Sequence, residues 1–304
     1  LGSAAAQAAY AANNAAILAA SPQLDGFFAD DSGSNFTASW CGTLGCGFWY
    51  GFNNSGVEIA SDTAYVAAES AMLAAAGKPV IINGADNQTQ GPAYNGAFVK
   101  LPNVMGEVSE GCFNNAGSLM TADGNNWWTR VEGGLISIAS YHKLALCYPT
   151  GDTTPAHRLY GYASWLLSYD PTYSVYGSIV TQSDGNAIFP ETQLVPTQPL
   201  ATATAISQLQ KGGVYVREFA QCAIASVAIG PCAAVVNPSS TATATIPALT
   251  QSYTNVIALD AGSLYGGGKA RVVSGVPGSL GPATAAILVG SPRTSVVISP
   301  KGVR

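Results

Sequence analysis

Charge is scarce in this chain. Asp, Glu, Lys and Arg make up only 10% of its 304 residues, with 12 Lys plus Arg against 17 Asp plus Glu, and the basic residues do not cluster. Binding to nucleic acid or to an anionic membrane surface needs a basic patch, so neither partner is expected. Long apolar runs are missing too. Every such stretch is broken well before the ~20 residues that a membrane-crossing helix requires, and no membrane span is expected. Histidine is almost absent, His142 and His157 being the only two, and there is no G-x-S-x-G elbow. A serine-hydrolase triad therefore lacks its usual frame, and Cys-x4-Cys without nearby His is a poor zinc pattern, so no metal and no cofactor is expected. Gly266-Gly267-Gly268 has no following helix and no Lys-Ser/Thr, and reads as a hairpin turn.

Hydrophobic residues, by contrast, reach 48%, and the length suffices for a large core and two domains. The Ala-rich opening lacks a basic leader and is interrupted by Gln7, Asn13 and Asn14, so it reads as an ordinary helix rather than a signal peptide. Six cysteines fall into local couples: Cys41 with Cys46, Cys112 with Cys147, and Cys222 with Cys232. An even count in close pairs suggests disulfides and an oxidising compartment, though spacing alone leaves the connectivity open. Asn35, Asn53 and Asn87 each begin a glycosylation sequon. Together these features predict a secreted or extracellular glycoprotein, with the cell surface or periplasm as alternatives.

The chain is organised around Leu24-Asp25-Gly26-Phe27-Phe28-Ala29-Asp30-Asp31, a short apolar run that ends in two carboxylates. It reads as a buried strand, with a helix before it (residues 3–20) and another after it (61–77). The alternation continues with strands at 78–84, 103–112, 144–148 and 173–180 and helices at 123–140 and 155–169. Such alternation predicts a parallel α/β sheet, in which ligands bind beyond the carboxyl ends of the strands. Residues 31–60 form a long loop rich in aromatics and amides, including Trp40, Trp49 and Tyr50, suited to a sugar-binding wall or to packing the loop on its own domain. Beyond residue 181, Pro-punctuated connections and short Val/Thr/Ala strands (214–219, 222–229, 233–236, 242–246, 253–259, 270–273, 285–289 and 295–298) predict an antiparallel β-sandwich. The expected division is 1–211 for the α/β domain and 212–304 for the β domain.

Three segments carry a family resemblance: Asp25-Gly-Phe-Phe-Ala-Asp30-Asp31, Gly106-Glu-Val-Ser-Glu110-Gly-Cys-Phe113, and the helix Arg158-Leu-Tyr-Gly-Tyr-Ala-Ser-Trp-Leu-Leu-Ser-Tyr-Asp170. Gly212-Gly-Val-Tyr-Val-Arg217-Glu-Phe219, leading to Val236-Asn-Pro-Ser239, adds a barrel-to-sandwich passage. With these the chain resembles the glycoside-hydrolase-like TIM-barrel families that carry a C-terminal β-sandwich. The resemblance implies a (β/α)8 barrel, of which five strands are found in residues 24–180. The remaining N-terminal strands would then belong to a preceding segment or to a second chain that completes the barrel.

The same resemblance implies cleavage of a polysaccharide or oligosaccharide by two carboxyl groups, with retention of configuration. Asp30 is then the nucleophile or base, with Asp31 in reserve. Glu110 is preferred as the acid over Glu107, which strand alternation puts on the other face. Asn83 and Tyr148, at other strand ends, would bond sugar hydroxyls. Two alternatives stand beside this reading. Adjacent Asp residues can simply cap a turn, and Glu107 or Glu110 can pair with Arg130 or Lys143. A non-catalytic carbohydrate-binding or structural surface glycoprotein is the other reading of the whole chain.

Overall fold

The computed structural model describes residues 4–29, 77–83, 99–123, 126–151, 154–177, 179–181 and 185–291. Its N-terminal region runs α1 (Ala4–Ala20), β1 (Phe27–Ala29), β2 (Val80–Asn83), β3 (Val104–Glu110), α2 (Trp127–Ser140), β4 (Leu144–Tyr148), α3 (Pro155–Leu167) and β5 (Ser174–Tyr176). α1 forms because alanine fills most of its length and costs little side-chain entropy. α3 opens with Pro155 at its first turn, where the missing N–H is no loss, after Thr154 in an extended conformation.

The five strands pair side by side in chain order, β1-β2-β3-β4-β5, and every pairing is parallel. Parallel neighbours must be joined by crossovers, and α2 and α3 are the crossovers from β3 to β4 and from β4 to β5. Along β3 and β4 the two faces differ. Glu107, Ser109, Ala145 and Cys147 are buried, whereas Val108, Leu144, Leu146 and Tyr148 are only partly covered. The buried face packs on α2 and α3 through Trp128, Val131, Leu135, Ile138 and Leu166, all at most 1% exposed. Gly106 is required where β3 passes β4, since a Cβ there would lie 2.5 Å from the Leu144 carbonyl oxygen.

The C-terminal region contains β6 (Leu194–Pro196), β7 (Gln210–Lys211), β8 (Val214–Ile224), β9 (Val227–Asn237), β10 (Ala244–Thr245), β11 (Asn255–Leu259), β12 (Ala270–Ser274), β13 (Ser279–Leu280) and β14 (Thr284–Val289). Seven of these form one antiparallel sheet, β6-β8-β9-β14-β11-β12 with β7 also on β8, while β10 and β13 pair separately. One face of the sheet meets the main core, where Phe219, Ala234 and Ile287 join the residues of α2 and α3. The other face, with Val216, Val235 and Leu288, is covered by Ala244 and Leu280 of the β10–β13 ribbon.

Two architectural expectations are corrected by this arrangement. Among the described residues no eight-stranded barrel closes: the parallel sheet is open, with β1 and β5 at its edges. The C-terminal region is also not a sandwich of one sheet on another, because α3 occupies one side of the antiparallel sheet and a two-stranded ribbon the other. The reason is the same in both cases. Period-two and period-3.6 patterns specify which face of an element is apolar, but not what comes to cover it. The strand expected at 222–229 is also split. Ala225 and Ser226, at φ 47 and 70, turn the chain between β8 and β9 without the glycine or asparagine that usually marks such a turn. The expected helix at 61–77, but for its last residue, and the strand at 295–298 lie outside the described residues.

Of the three expected cysteine couples, the structure bears out two as disulfides, Cys112–Cys147 and Cys222–Cys232, with Cα–Cα distances of 5.4 and 5.9 Å. The third couple, Cys41 with Cys46, lies outside the described residues. The two observed bonds fit an oxidising, extracellular setting. Among the described residues no helix is long and apolar enough to cross a membrane.

Candidate functional site

A cleft of about 380 Å³ opens at the carboxyl ends of the parallel strands. Its walls come from the less covered face of the sheet: Phe28 of β1, Val108 of β3, Leu146 of β4 and Val175 of β5. Phe28 is 55% and Val175 40% exposed, so an aromatic and an aliphatic surface stand open to a ligand. Three polar side chains sit at the strand ends above this floor. They are Asn83, the last residue of β2, Glu110, the last of β3, and Tyr148, the last of β4.

These three are held in one constellation. The Asn83 Nδ2 donates to Glu110 Oε2 at 3.0 Å, which orients the carboxyl group from a neighbouring strand. Asn83 is itself buried. Glu110 and Tyr148 are direct cross-strand partners in the β3–β4 register. Burial of the Tyr148 phenol, and secondly the charge of Glu110, push its pKa above the ordinary tyrosine value. The hydroxyl therefore stays protonated at neutral pH and can donate a hydrogen bond.

The turn that follows Glu110 is pinned to β4. Gly111 takes φ +69, a conformation natural to glycine, and its N–H donates to the Tyr148 carbonyl at 2.7 Å. The Cys112 N–H reaches the same carbonyl at 3.3 Å, and the Cys112–Cys147 disulfide closes the pair beside it. On the far side of Tyr148, Gly177 donates its N–H to the Cys147 carbonyl at 2.8 Å. A Cβ at Gly177 would lie 2.8 Å from the Tyr148 ring, so glycine is what lets the ring lie there.

Of the residues the sequence proposed, the structure brings Asn83, Glu110 and Tyr148 together. Glu107 is not with them: it is 1% exposed and points to the opposite, helix-covered face, as alternation along β3 requires. Glu110 takes Asn83 as its hydrogen-bond partner, and Lys143 Nζ donates to the Val104 carbonyl at the amino end of β3. Asp30, Asp31, Trp40, Trp49, Tyr50, Cys41 and Cys46, and the sequon residues Asn35, Asn53 and Asn87 lie outside the described residues. Sequence reasoning did not name Phe28, Val175 or Gly177 as site residues. The available signal was the alternation along β1, which puts Phe28 on the face expected for Asp30. Among the described residues no group of His, Cys, Asp and Glu could hold a metal ion.

No family model, no curated protein and no solved structure matches this chain.

Proposed function

We propose that the protein is a secreted glycoside hydrolase whose substrate, a polysaccharide or oligosaccharide, lies across the cleft at the carboxyl ends of β2, β3 and β4. The observation that carries the reading is the convergence of Glu110, Asn83 and Tyr148 over an apolar floor. A pyranose has one C–H face and a rim of hydroxyls. Phe28 and Val175 offer surface to the first, and Asn83 and Tyr148 offer hydrogen bonds to the second.

In this reading Glu110 is the general acid that protonates the leaving glycosidic oxygen, and Asn83 holds its carboxyl group in place. Cleavage needs a second carboxyl group, and on sequence grounds it is assigned to Asp30, the residue that follows β1. A close carboxyl pair (about 5–5.5 Å) would give retention, and a wider one (about 6.5–9.5 Å) inversion. Binding without cleavage is the rival reading, supported by Glu110 being the one described carboxylate that lines the cleft.

The test is hydrolysis of a polysaccharide panel by the full chain and by E110Q and D30N. Loss of the Glu110 carboxyl should lower turnover by roughly 10²–10⁴-fold, the usual size of a general-acid contribution. The melting temperature of E110Q should stay at the wild-type value, because Glu110 is an exposed strand-end residue. Wild-type turnover in E110Q would refute the assignment. Glycan binding with no product from the unmutated protein would leave the binding reading in its place.

A further inference from the structure

The apolar floor of the cleft has a direction. Strand register lines up Asn83, Val108, Leu146 and Val175 in one row across β2, β3, β4 and β5. Asn83 is the polar end of that row, and the other three residues are aliphatic. Glu110 and Tyr148 stand two residues further along β3 and β4, on the same face and opposite one another. With about 4.8 Å between neighbouring strands, the strip from Val108 to Val175 is about 10 Å long. It starts beside the Glu110 carboxyl group and ends on β5, the edge of the sheet, where Val175 is 40% exposed.

What borders the strip is apolar as well. Leu144 lies next to it on the same face of β4, and Gly177, which lines the cleft just after β5, has no side chain. The Gly177 N–H is engaged by the Cys147 carbonyl. Strand order follows chain order, so successive right-handed crossovers fall on one side of the sheet. α2 and α3 accordingly pack on the opposite face, that of Glu107 and Ala145, and the strip stays open to a ligand. A sugar unit lying on it would bring its hydroxyls against side chains that neither donate nor accept, and a desolvated hydroxyl without a partner is unfavourable. An aliphatic chain has no such need and gains by leaving water.

We infer that the substrate is an amphiphilic glycoside. Its sugar is held at the rim by Asn83, Glu110 and Tyr148, and its aliphatic aglycone lies along Val108, Leu146 and Val175. The inference rests on the carbohydrate reading of the same cleft and names the group on the leaving side of the bond. When Glu110 protonates the glycosidic oxygen, the bond from that oxygen to the sugar carbon breaks. The chain departs as a neutral alcohol, and water supplies the hydroxyl that the sugar carbon takes up.

The experiment is calorimetry on the full chain with paired methyl and octyl glycosides of β-glucose, β-galactose and α-mannose. The octyl members are kept below the concentration at which they form micelles, and 1-octanol is the sugar-free control. Both the unmutated protein and E110Q, which blocks turnover, are titrated. Burying one methylene is worth about fourfold in affinity. An octyl glycoside of the right sugar should therefore bind at least about tenfold more tightly than its methyl partner, and more tightly than 1-octanol. In V108T/V175T, which places hydroxyls on the strip at nearly unchanged side-chain shape, that advantage should shrink at least about threefold. Pairs that all bind within about threefold of one another, or an advantage unchanged in a normally melting V108T/V175T, overturn the aglycone inference and leave the carbohydrate reading standing. Binding of 1-octanol as tight as that of every octyl glycoside, or no binding of any probe by a protein with a normal melting transition, overturns both.

Discussion

At the scale of single residues, the molecule separates carboxyl groups by what surrounds them. Glu110 stands at a strand end, open to the cleft and oriented by one amide. Glu132, on α2, is fully buried, and burial holds its carboxyl well above the ordinary glutamate value, with Ser168 and Arg217 offsetting this only partially. Opposite it, burial also lowers the Arg217 guanidinium to about 10, although Glu132 acts in the other direction. A carboxyl whose folded pKa is raised contributes stability below its unfolded value and loses it as pH climbs through the folded one. The wild-type melting temperature should therefore fall relative to that of E132Q as pH rises from about 4 to about 8. A difference between the two proteins that stays flat across that range would show that Glu132 ionises no less easily when folded. Glu132 carried no mark in the sequence. A glutamate on a helix reads as a surface residue, and only the fold brings Ser168, just after α3, and Arg217 of β8 up to it.

At the scale of elements, the site depends on how the ends of β3 and β4 are joined. Glu110 and Tyr148 are the last residues of adjacent strands, and close to them the Cys112–Cys147 disulfide crosses the same pair. On a chain-entropy account, closing a loop of this length stabilises the fold by about 2–5 kcal/mol. Replacing both cysteines by serine should lower stability by that amount. It should also weaken the proposed glycan binding beyond what the melting temperature alone implies, because the turn after Glu110 loses its covalent tie to β4. An intact binding constant in a destabilised double mutant would show that the two backbone hydrogen bonds to the Tyr148 carbonyl suffice. The pairing was within reach of the sequence, which had placed both cysteines near neighbouring strand ends. The stretch from Glu110 to Phe113, with Gly111 and Phe113 both at positive φ, was not, since phenylalanine gives no local hint of that conformation.

At the scale of the whole molecule, one core runs through both regions, from Leu18 and Ile82 through Trp128 and Leu166 to Phe219 and Ile287. Polar ties cross the same boundary. Arg158 of α3 donates to Glu191 Oε2 at 2.9 Å and to the carbonyl of Asp260 just after β11, and its guanidinium lies 4.2 Å from the centroid of the Phe189 ring. Trp128 Nε1 donates to Ser164 at 2.9 Å, which locks α2 to α3. Arg158 and Glu191 are both 1% exposed, so removing one leaves an uncompensated buried charge. E191A should cost about 3–5 kcal/mol, whereas the double replacement R158M/E191L should recover much of it. Denaturant unfolding of the wild type, E191A and R158M/E191L checks this. A double mutant as unstable as E191A would mean that the remaining bonds of Arg158, not its charge pairing, hold the regions together.

The sequence by itself determined the elements of the N-terminal region: alternation and alanine content marked α1, β1 to β5, α2 and α3 near their observed bounds, and placed Glu110, Asn83 and Tyr148 at strand ends. These are local matters, set by side-chain period and by turn and cap chemistry within a few residues. Only the tertiary structure decided that, among the described residues, the parallel sheet is open rather than closed and α3 rather than a second β-sheet backs the antiparallel sheet, and which of the two faces of β3, that of Glu107 or that of Glu110, meets the cleft. Closure and covering depend on strand tilt and on contacts between residues far apart in the chain, and no local pattern encodes them.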